Sequence, residues 1–533
     1  MDAAAFSAAW KRGWVIESNH ASSPMGNAST AARPIRSVLV LGGGSAGLIA
    51  ALTLKRKRPH LRVEVVYSSK LGVIGVGEGT TPYVPGHFIG YLGFDEAAVF
   101  AALDPVFKLG VRFRWGTAEH FDYSFSGMQH PFRYPDLSRN SGFYQETPAQ
   151  AIDLSSALMD ECKVVPLRTD GQPDLPVAGN HLAWHIENHL FVEWLTKVCL
   201  AEGVVLTDAE LGGVVPDGEG GIASLRLSDG SERAADLFVD ASGFASELLG
   251  KALAEPFVGF SQSLFCDRAV VGGWDRGDEM ILPYTLSETM DAGWCWQIDH
   301  PHRIHRGYVY SSEHLTDEAA VDEYRRQVPK AGEPRIVRFV SGCYERPWVG
   351  NVVALGNAAG FVEPLEATAL MVICIQSRWL ADGLIDSGDA PPPTMRELFC
   401  RMNRNLWRQI RDFLALHYRF NARRDTEFWR RCVEETPLGE LEELVAFYQE
   451  NGPSAIAGAM LDSNNSFGLD GYLVILSGLG VRHRREWSPP PEELKIWRAK
   501  LDRLRRIARN GLRMEELSRR LKNPESWRRI RGG

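Results

Sequence analysis

Apolar and polar positions near the start of the chain follow the pattern of a βαβ unit. Residues 37–41 form a short run of Val and Leu, a glycine-rich turn follows at 42–47, and residues 48–57 carry apolar side chains at helical spacing. A second run rich in β-branched residues occupies 61–67. This order predicts two parallel strands joined by a helix, with the glycine turn at the end of the first strand.

The rest of the chain divides into a strand-rich part and a helical part. Strand and turn patterns continue over 204–241 and 263–340, and from residue 367 the spacing is mainly helical. No motif repeats at a fixed period, which argues against solenoids and propellers. We predict an α/β fold: a Rossmann-type module with a β-sheet substrate region and a mainly helical C-terminal part. The predicted divisions are a flexible leader at 1–34, the nucleotide-binding and β-sheet module at 35–366, and a helical substrate-covering region with a basic tail at 367–533.

Charge is unevenly distributed along the chain. The net charge is −8, yet residues 481–533 hold 17 Lys and Arg against 7 Asp and Glu, a local charge of +10. Apolar residues recur in this tail at helical spacing, at Leu494, Trp497 and Leu501. That spacing favours a basic amphipathic helix packed on its own domain, and no recognised nucleic-acid motif accompanies it.

Cysteines and apolar runs narrow the class of protein further. The eight cysteines contain no C-x-x-C pair, so we expect reduced core thiols with neither a disulfide framework nor a metal site. No apolar run reaches 18 residues, and the start of the chain lacks the pattern of a secretory signal. We expect a cytoplasmic protein without a membrane anchor.

The glycine turn carries the first functional prediction. Gly42 permits the tight turn, Gly44 lets the backbone approach a pyrophosphate, and Gly47 allows close packing of helix on strand. The helix that begins at Ser45 and Ala46 then presents unpaired N–H groups and the positive end of its dipole. We predict a dinucleotide site. The second strand ends at Tyr67 and two serines instead of an acid, so a hydroxyl, the backbone or another segment must hold the ribose.

Two later segments favour FAD over NAD. A hydrophobic strand runs into a small-residue turn at 236–243, which includes Asp240 and Gly243. A second such strand at 351–360 leads to Gly356, Asn357 and Gly360, at the start of a helix near phosphate or flavin. Each segment alone is equally typical of a core strand ending in a turn, but three in this order favour a flavoprotein.

With these pieces in place, the chain resembles the flavin-dependent tryptophan halogenases, a branch of the FAD monooxygenase superfamily. The matching blocks occur in family order between about residues 36 and 485, and the G-W-x-W-x-I piece is the most specific of them. The blocks are residues 42–47, 74–82, 107–113, 184–190, 236–243, 293–298, 356–368 and 423–429.

The resemblance implies an activity and its partners. Reduced FAD from a separate flavin reductase, with O₂ and halide, gives hypohalous acid, which passes through a tunnel to an essential lysine beside an aromatic substrate. The substrate is a small molecule or a peptide, and a homodimer is left open. The first of these blocks after the glycine turn adds Val76, Gly77 and Glu78 to the expected cofactor-binding residues.

Two positions decide whether the resemblance extends to halogenation. The family glutamate maps onto Glu366, which without the family would be interpreted as an acid at a helix start. Counted from the 74–82 block, the family lysine falls on Gly86, so no amine is expected there, and the adjacent His87 is the candidate for a proton-transfer or hydrogen-bonding role. Lys108 is not expected to substitute, because it belongs to a different block. Asp299 also replaces a family proline.

The tryptophan motif allows two interpretations that we combine. Trp294, Trp296 and Ile298 alternate, which is typical of one face of a buried strand. The resemblance implies that Trp294 and Trp296 also shield the flavin from the substrate.

The sequence therefore predicts an oxidoreductase that uses reduced FAD and O₂ to oxidise or halogenate an aromatic, indole-like substrate. One alternative is a non-halogenating FAD monooxygenase or oxidase on the same scaffold, since Gly86 stands at the expected lysine position. A second alternative is a catalytically degenerate flavin-binding protein.

Overall fold

A computed structural model describes residues 33–72, 77–127, 137–138, 144, 147–175, 182–485, 488–521, 526–527 and 530. The predicted leader, apart from its last two residues, and Val76 lie outside the described residues. Residues Pro34–Gly533 form one compact unit.

The unit contains strands throughout its first two thirds. In chain order they are β1 Ser37–Leu41, β2 Arg62–Tyr67, β3 Glu78–Gly79, β4 Val106–Lys108, β5 Gly110–Arg114, β6 Phe121–Ser124, β7 Ala183–Ile186, β8 Val205–Asp208, β9 Leu211–Pro216, β10 Ile222–Leu227, β11 Glu232–Arg233, β12 Leu237–Asp240, β13 Phe257–Gly259, β14 Arg268–Asp275, β15 Thr285–Met290, β16 Gly293–Asp299, β17 Arg303–Tyr310, β18 Arg335–Arg338, β19 Gly342–Tyr344, β20 Trp348–Val349, β21 Val352–Ala354 and β22 Gly360–Phe361.

Helices occur along the whole unit and dominate its last third. They are α1 Ser45–Lys57, α2 Tyr83–Pro85, α3 Glu96–Leu103, α4 Leu154–Asp160, α5 Asn188–Ala201, α6 Asp317–Gln327, α7 Ala369–Asp386, α8 Pro393–Arg419, α9 Glu427–Glu435, α10 Glu442–Asn451, α11 Gly468–Gly478, α12 Pro491–Arg509 and α13 Met514–Leu521.

The predicted Rossmann-type α/β module is confirmed. Six strands form a sheet in the order β20-β21-β12-β1-β2-β8, and β1 pairs in parallel with both β2 and β12. Helix α1 connects β1 to β2, which is the βαβ unit expected from the hydrophobic pattern. The carboxyl ends of β1 and β12 therefore meet at one edge, the usual place for a ligand in such sheets.

A second, seven-stranded sheet holds the tryptophan motif. Its order is β18-β14-β17-β16-β15-β5-β6, and β16 pairs antiparallel with both β15 and β17. A separate three-stranded sheet has the order β3-β7-β4 and pairs Gly79 with His185 on β7. Lys108 is paired with Ala183 on the other side of β7.

The basic tail is packed against the rest of the unit. Trp497 and Leu501 of α12 are buried, and Met514 and Leu517 of α13 belong to the same apolar core as the β1 sheet. This agrees with the predicted amphipathic helix. Among the described residues, no helix is both long and apolar enough to cross a membrane.

Candidate active site

The glycine turn has the geometry that its three roles require. A Cβ on Gly47 would lie 1.8 Å from the carbonyl oxygen of Gly42, so only glycine lets α1 pack this closely on β1. Gly42 adopts a φ of +121°, and a Cβ there would lie 2.2 Å from the oxygen of Ala241 on the neighbouring strand. Both positions therefore require glycine for reasons internal to the protein.

No contact within the protein requires glycine at position 44, because a Cβ there would meet nothing within 4 Å. The space beside it is open to a ligand. Gly44 is also the N-cap of α1, where no side chain caps the helix and no acid stands in the first turn. Unpaired N–H groups beside open space fit the pyrophosphate of FAD.

The ribose end differs from the common pattern in the way that the sequence indicates. A Cβ on Gly43 would lie 2.6 Å from Cβ of Tyr67, so the last residue of β2 closes against the turn. The carboxylate at this edge comes from Asp208 at the end of β8, and it accepts a hydrogen bond of 2.9 Å from the backbone of Ser69.

The carboxylate of Asp240 accepts hydrogen bonds from its own turn. Its carboxylate accepts hydrogen bonds from the backbone of Leu248 and Leu249 at 2.8 and 2.9 Å and from the hydroxyl of Ser242 at 2.6 Å. Burial raises the pKa of Asp240, against the effect of these hydrogen bonds. Its role is to fix the turn after β12. Gly243, with a φ of +69° and open space at its Cβ position, is the residue of this segment that faces free volume.

The segment after β21 contributes a further glycine contact and a cavity. Gly356 has a φ of +59°, and a Cβ there would lie 2.9 Å from Cβ of Ala46, so this turn packs on the start of α1. Nearby, a cavity of about 360 Å³ is lined by Phe244, Asn357 and Phe361 among others. A Cβ on Gly360 would lie 2.7 Å from Cβ of Cys343, which makes this glycine a packing requirement.

Lys108, at the end of β4, is the most unusual charged side chain of the described structure. It is fully buried, and its Nζ has no hydrogen-bond partner among the described residues. The Nζ lies 3.5 Å from the position that a Cβ on Gly79 would take and 5.2 Å from the ring centre of Phe125. Burial lowers the pKa of Lys108 to about 7, and the negative charge of Glu366 opposes this shift.

Glu366 lies in the turn before α7 and is also buried. His417 of α8 places Nε2 2.9 Å from Oε1 of Glu366, a close contact whose angles are not those of a hydrogen bond. Nδ1 of His417 must donate to the carbonyl oxygen of Phe413 at 2.8 Å, because that oxygen can only accept. Ala367, next to Glu366, holds a φ of +54°, a conformation that costs a non-glycine residue free energy and persists only where its surroundings impose it.

The structure does not bring Gly86 or His87 to this place. Gly86 is exposed in an ordinary right-handed helical conformation, and a Cβ there would meet nothing within 4 Å. His87 is buried, with Nε2 3.0 Å from the hydroxyl of Thr53 and its ring beside Tyr91. Burial lowers the pKa of His87 to about 4, so its imidazole is neutral near neutral pH. None of its recorded contacts involves Glu366.

The two tryptophans lie on one face of β16, as their alternation predicts. Trp294 and Trp296 are buried in the same apolar cluster, with ring centres 5.9 Å apart, and a Cβ on Gly307 would lie 2.0 Å from the Trp296 ring. The indole of Trp294 donates a hydrogen bond of 3.0 Å to Oε1 of Glu363. The Tyr418 hydroxyl donates to the same oxygen.

These bonds connect the tryptophan motif with the segment that carries Glu366. Glu363 is fully buried, and burial raises its pKa to about 7 while the two donors oppose the shift. Tyr418 follows His417 on the last turn of α8, so one helical turn contacts both Glu363 and Glu366. The expected role of Trp294 and Trp296 in shielding flavin stays a prediction.

One of these features was detectable in the sequence and one was not. A lysine within the otherwise apolar run 106–111 is a charged residue in a predicted buried strand, which normally marks a partner or a function. The network of Glu363, Tyr418 and Trp294 had no local signal, because its three members are distant in the chain and are joined only by packing.

Comparison with known proteins gives the family. A family model described as tryptophan halogenase matches residues 37–489. The tryptophan 7-halogenase KtzQ of Kutzneria sp. (strain 744) is 32% identical over 490 residues, which cover 84% of this chain and 89% of that protein. The solved structure of MibH, a lanthipeptide tryptophan 5-halogenase, superposes with a TM-score of 0.84 at 34% identity and covers 95% of this chain and 97% of that one. BrvH, a flavin-dependent halogenase from Brevundimonas sp. BAL3, gives a TM-score of 0.79 at 28% identity over 92% and 99% of the two chains.

The family consists of oxidoreductases that use FAD and a halide, act on aromatic substrates and rely on a separate flavin reductase. The family model covers most of the sequence, and the similarity to KtzQ and MibH extends over nearly the whole of those proteins. This chain belongs to the tryptophan halogenase family of flavin-dependent enzymes.

Proposed function

We propose that this protein halogenates an aromatic, indole-like substrate, with Lys108 as the amine that holds hypohalous acid and Glu366 as the carboxylate beside it. This assignment replaces the expectation that the lysine position is Gly86. The observation that supports it is the buried Nζ of Lys108, which has no hydrogen-bond partner among the described residues and lies close enough to Glu366 for the charge of that group to act on the lysine pKa.

A lysine with these surroundings suits the task. An amine with a pKa of about 7 is available in both its charged and neutral forms at neutral pH. The charged form donates a hydrogen bond to hypohalous acid and holds the electrophile against one ring carbon, which supplies orientation. An ammonium held by the protein would have fewer N–H donors free for the oxidant, so the absence of a partner among the described residues leaves all three donors of Lys108 for the reaction.

Glu366 contributes charge at the same place. Its carboxylate is buried and close to Lys108, so a positive charge that develops on the substrate ring during attack meets a negative group in a medium of low dielectric constant. Exclusion of water from this region protects hypohalous acid and strengthens both interactions.

The expected FAD site is separate from this pair in the sequence and fits the cofactor. Gly42, Gly44 and Gly47 with the N-terminus of α1 would hold the pyrophosphate, and the turns at Gly243 and Gly356 would border the cofactor. Bound reduced FAD with O₂ supplies the oxidising power that converts halide to hypohalous acid.

The substrate class rests on the relatives. KtzQ is a tryptophan 7-halogenase and MibH a lanthipeptide tryptophan 5-halogenase, so a test panel should contain tryptophan, simple indoles and tryptophan-containing peptides. A cytoplasmic location and a homodimer also remain predictions, and light scattering of the purified protein tests the second.

The test is halide-dependent turnover. The protein is incubated with a flavin reductase, NADH, FAD, bromide or chloride and the panel, and products are analysed by mass spectrometry. We expect products with the halogen isotope pattern from the wild type and none from Lys108→Met, which keeps the length of the side chain. Lys197→Met, at an exposed ion pair, is the matched control and should retain activity.

Two further outcomes would contradict the proposal. Products that contain only added oxygen would support the monooxygenase alternative, and unchanged halogenation by Lys108→Met would exclude this lysine. We also expect Gly86→Lys to restore nothing in the Lys108→Met background, because position 86 faces solvent.

A further inference from the structure

Three metal-ligating side chains meet away from the Lys108 pair. Glu187 follows β7, His300 follows β16, and His305 lies in β17. Each offers one ligand atom, and the three atoms lie within 4.8 Å of one another. The two histidines belong to a sequence tract, 300–305, that holds three histidines in six residues, a composition typical of metal binding.

The distances suit a shared ion. Nε2 of His305 lies 3.2 Å from both carboxylate oxygens of Glu187, and Nδ1 of His300 lies 4.0 Å from Oε1. Two ligand atoms about 2.1 Å from one tetrahedral ion lie about 3.4 Å apart. The pair of Glu187 and His305 already fits this spacing, and the wider pairs, within 4.8 Å, must close by roughly 0.6 to 1.4 Å through side-chain rotation.

An ordinary ion pair explains only part of the cluster. Glu187 and His305 satisfy each other, whereas the buried His300 is bonded to neither of them, with its Nδ1 4.0 Å from Oε1 of Glu187. Glu187 and His305 are 16% and 13% exposed, which leaves one side of the cluster open for an ion to enter and for water to complete its coordination.

We propose that Glu187, His300 and His305 form a binding site for a divalent transition-metal ion of the zinc class. Two imidazoles and one carboxylate are a donor set that Zn²⁺ accepts, whereas Mg²⁺ and Ca²⁺ prefer oxygen ligands alone.

A second group of potential ligands is not a competitor. His120, Asp122 and Asp160 also lie together, but the guanidinium of Arg112 already bonds both carboxylates at 2.6–2.7 Å. A fixed positive charge occupies the place that a cation would take.

The position of the site suggests what an ion would do. Gly77 closes over the cluster: a Cβ there would lie 2.8 Å from the His305 ring and 3.0 Å from Nε2 of His300. Gly77 leads through β3 to Gly79, which lies against the Lys108 amine. An ion held here would restrain the segment that forms one wall of the lysine site.

Metal binding itself is the test, and it does not depend on turnover. Full-length protein is stripped with a chelator and titrated with Zn²⁺ by calorimetry, and with Co²⁺ by visible absorption, which reports the ligand geometry. We expect one ion per chain, a higher melting temperature with Zn²⁺, and at least a tenfold loss of affinity in Glu187→Gln and His305→Asn.

The control is His120→Asn, which should bind as the wild type does. Glu187→Gln keeps the size of the side chain, and the melting temperature of each metal-free variant shows whether it is folded. Absence of a stoichiometric site in the wild type, or equal affinity in folded Glu187→Gln and His305→Asn, would overturn the proposal.

Discussion

At the scale of single residues, Lys108 shows a conflict between stability and chemistry. A buried amine without a partner destabilises the fold, because its charged form loses its hydration. The charge of Glu366 and the ring of Phe125, 5.2 Å away, favour the charged form without replacing the lost hydrogen bonds to water. A residue that costs stability at its own position is most readily explained by function.

This conflict predicts a pH-dependent gain in stability for Lys108→Met. The pKa of Lys108 is about 7 in the folded protein and near 10.5 in the unfolded chain, so between these values the unfolded chain binds more protons. The stability of the wild type therefore rises with pH across this window, and its penalty is complete below pH 7. Methionine carries no proton, so the variant should gain more stability at pH 6 than at pH 9.5. Thermal unfolding at the two values measures the difference, and equal gains would contradict the lowered pKa.

Substitutions at two glycines of the turn are expected to have two different effects, one on FAD binding and one on stability. Gly44→Val should leave the melting temperature of the cofactor-free protein unchanged and abolish FAD binding, because its side chain enters the open space beside the helix. Gly47→Ala should destabilise the protein itself, since its Cβ would overlap the oxygen of Gly42. Flavin fluorescence and thermal unfolding separate the two. Normal FAD occupancy in Gly44→Val would exclude the proposed pyrophosphate site.

At the scale of elements, the last turn of α8 contacts the segment that carries Glu363 and Glu366. His417 contacts Glu366 and Tyr418 bonds Glu363, while Trp294 reaches the same Glu363 from β16. The tryptophan motif thus joins the second sheet to the segment before α7. Its effect on Glu366 is mechanical, through the position of a neighbour three residues away.

His417 is accordingly predicted to be a positioning residue. Its Nε2 lies 2.9 Å from Oε1 of Glu366, while its Nδ1 donates to the carbonyl oxygen of Phe413 and fixes the orientation of the ring. His417→Phe should reduce halogenated product per O₂ consumed at least tenfold while FAD binding stays normal, and His417→Gln, which keeps a donor, should recover part of the loss. An unchanged product ratio in folded His417→Phe would show that the contact is only structural.

Tyr418→Phe tests the other half of the same turn. Removal of the hydroxyl leaves Glu363 with one donor instead of two in a fully buried place, which should cost about 1–3 kcal/mol of stability. Chemical denaturation measures this cost. A neutral result would mean that the carboxyl is protonated and needs no second donor.

Much of the fold followed from local patterns, and much of the site did not. The glycine turn, β1, α1 and β2 form one contiguous segment, so spacing alone was sufficient to predict them. Counting forward from the 74–82 block places the family lysine at Gly86, and that prediction stays untested. Sheet pairing brings β3 and β4 together across β7, so Lys108 lies against Gly79 although the two are distant in sequence, and this contact could not be counted along the chain. A nucleotide contact of Asp240 also stays a prediction, and its hydrogen bonds within the turn were not visible in the sequence.

At the scale of the whole molecule, the C-terminal helices are part of the core that supports the lysine strand. The ring of Trp527 packs on Phe100 with centres 5.0 Å apart, and the sulfur of Met514 accepts a hydrogen bond from the backbone of Phe107, next to Lys108. The inner face of α12 therefore packs into the core, and its positively charged residues lie on the opposite, exposed face.

Truncation after residue 490 tests this arrangement. Loss of α12 and α13 exposes the apolar surface around β4, so the shortened protein should unfold at a lower temperature and lose halogenation along with it. Neutralising exposed arginines of α12, such as Arg505, should leave both properties unchanged. A truncated protein with normal stability and activity would show that the tail is a separate appendage.

The pairing of Lys108 with Glu366 has a consequence for biosynthesis of the protein. The two residues come from distant parts of the chain, and His417 follows later still. During synthesis the ribosome releases the lysine strand long before the segment that opposes it, and contacts of such long range form late in folding. Under the proposed function, a nascent or truncated chain that binds flavin would lack the pair that confines the oxidant, and complete folding would protect the protein from halogenating itself.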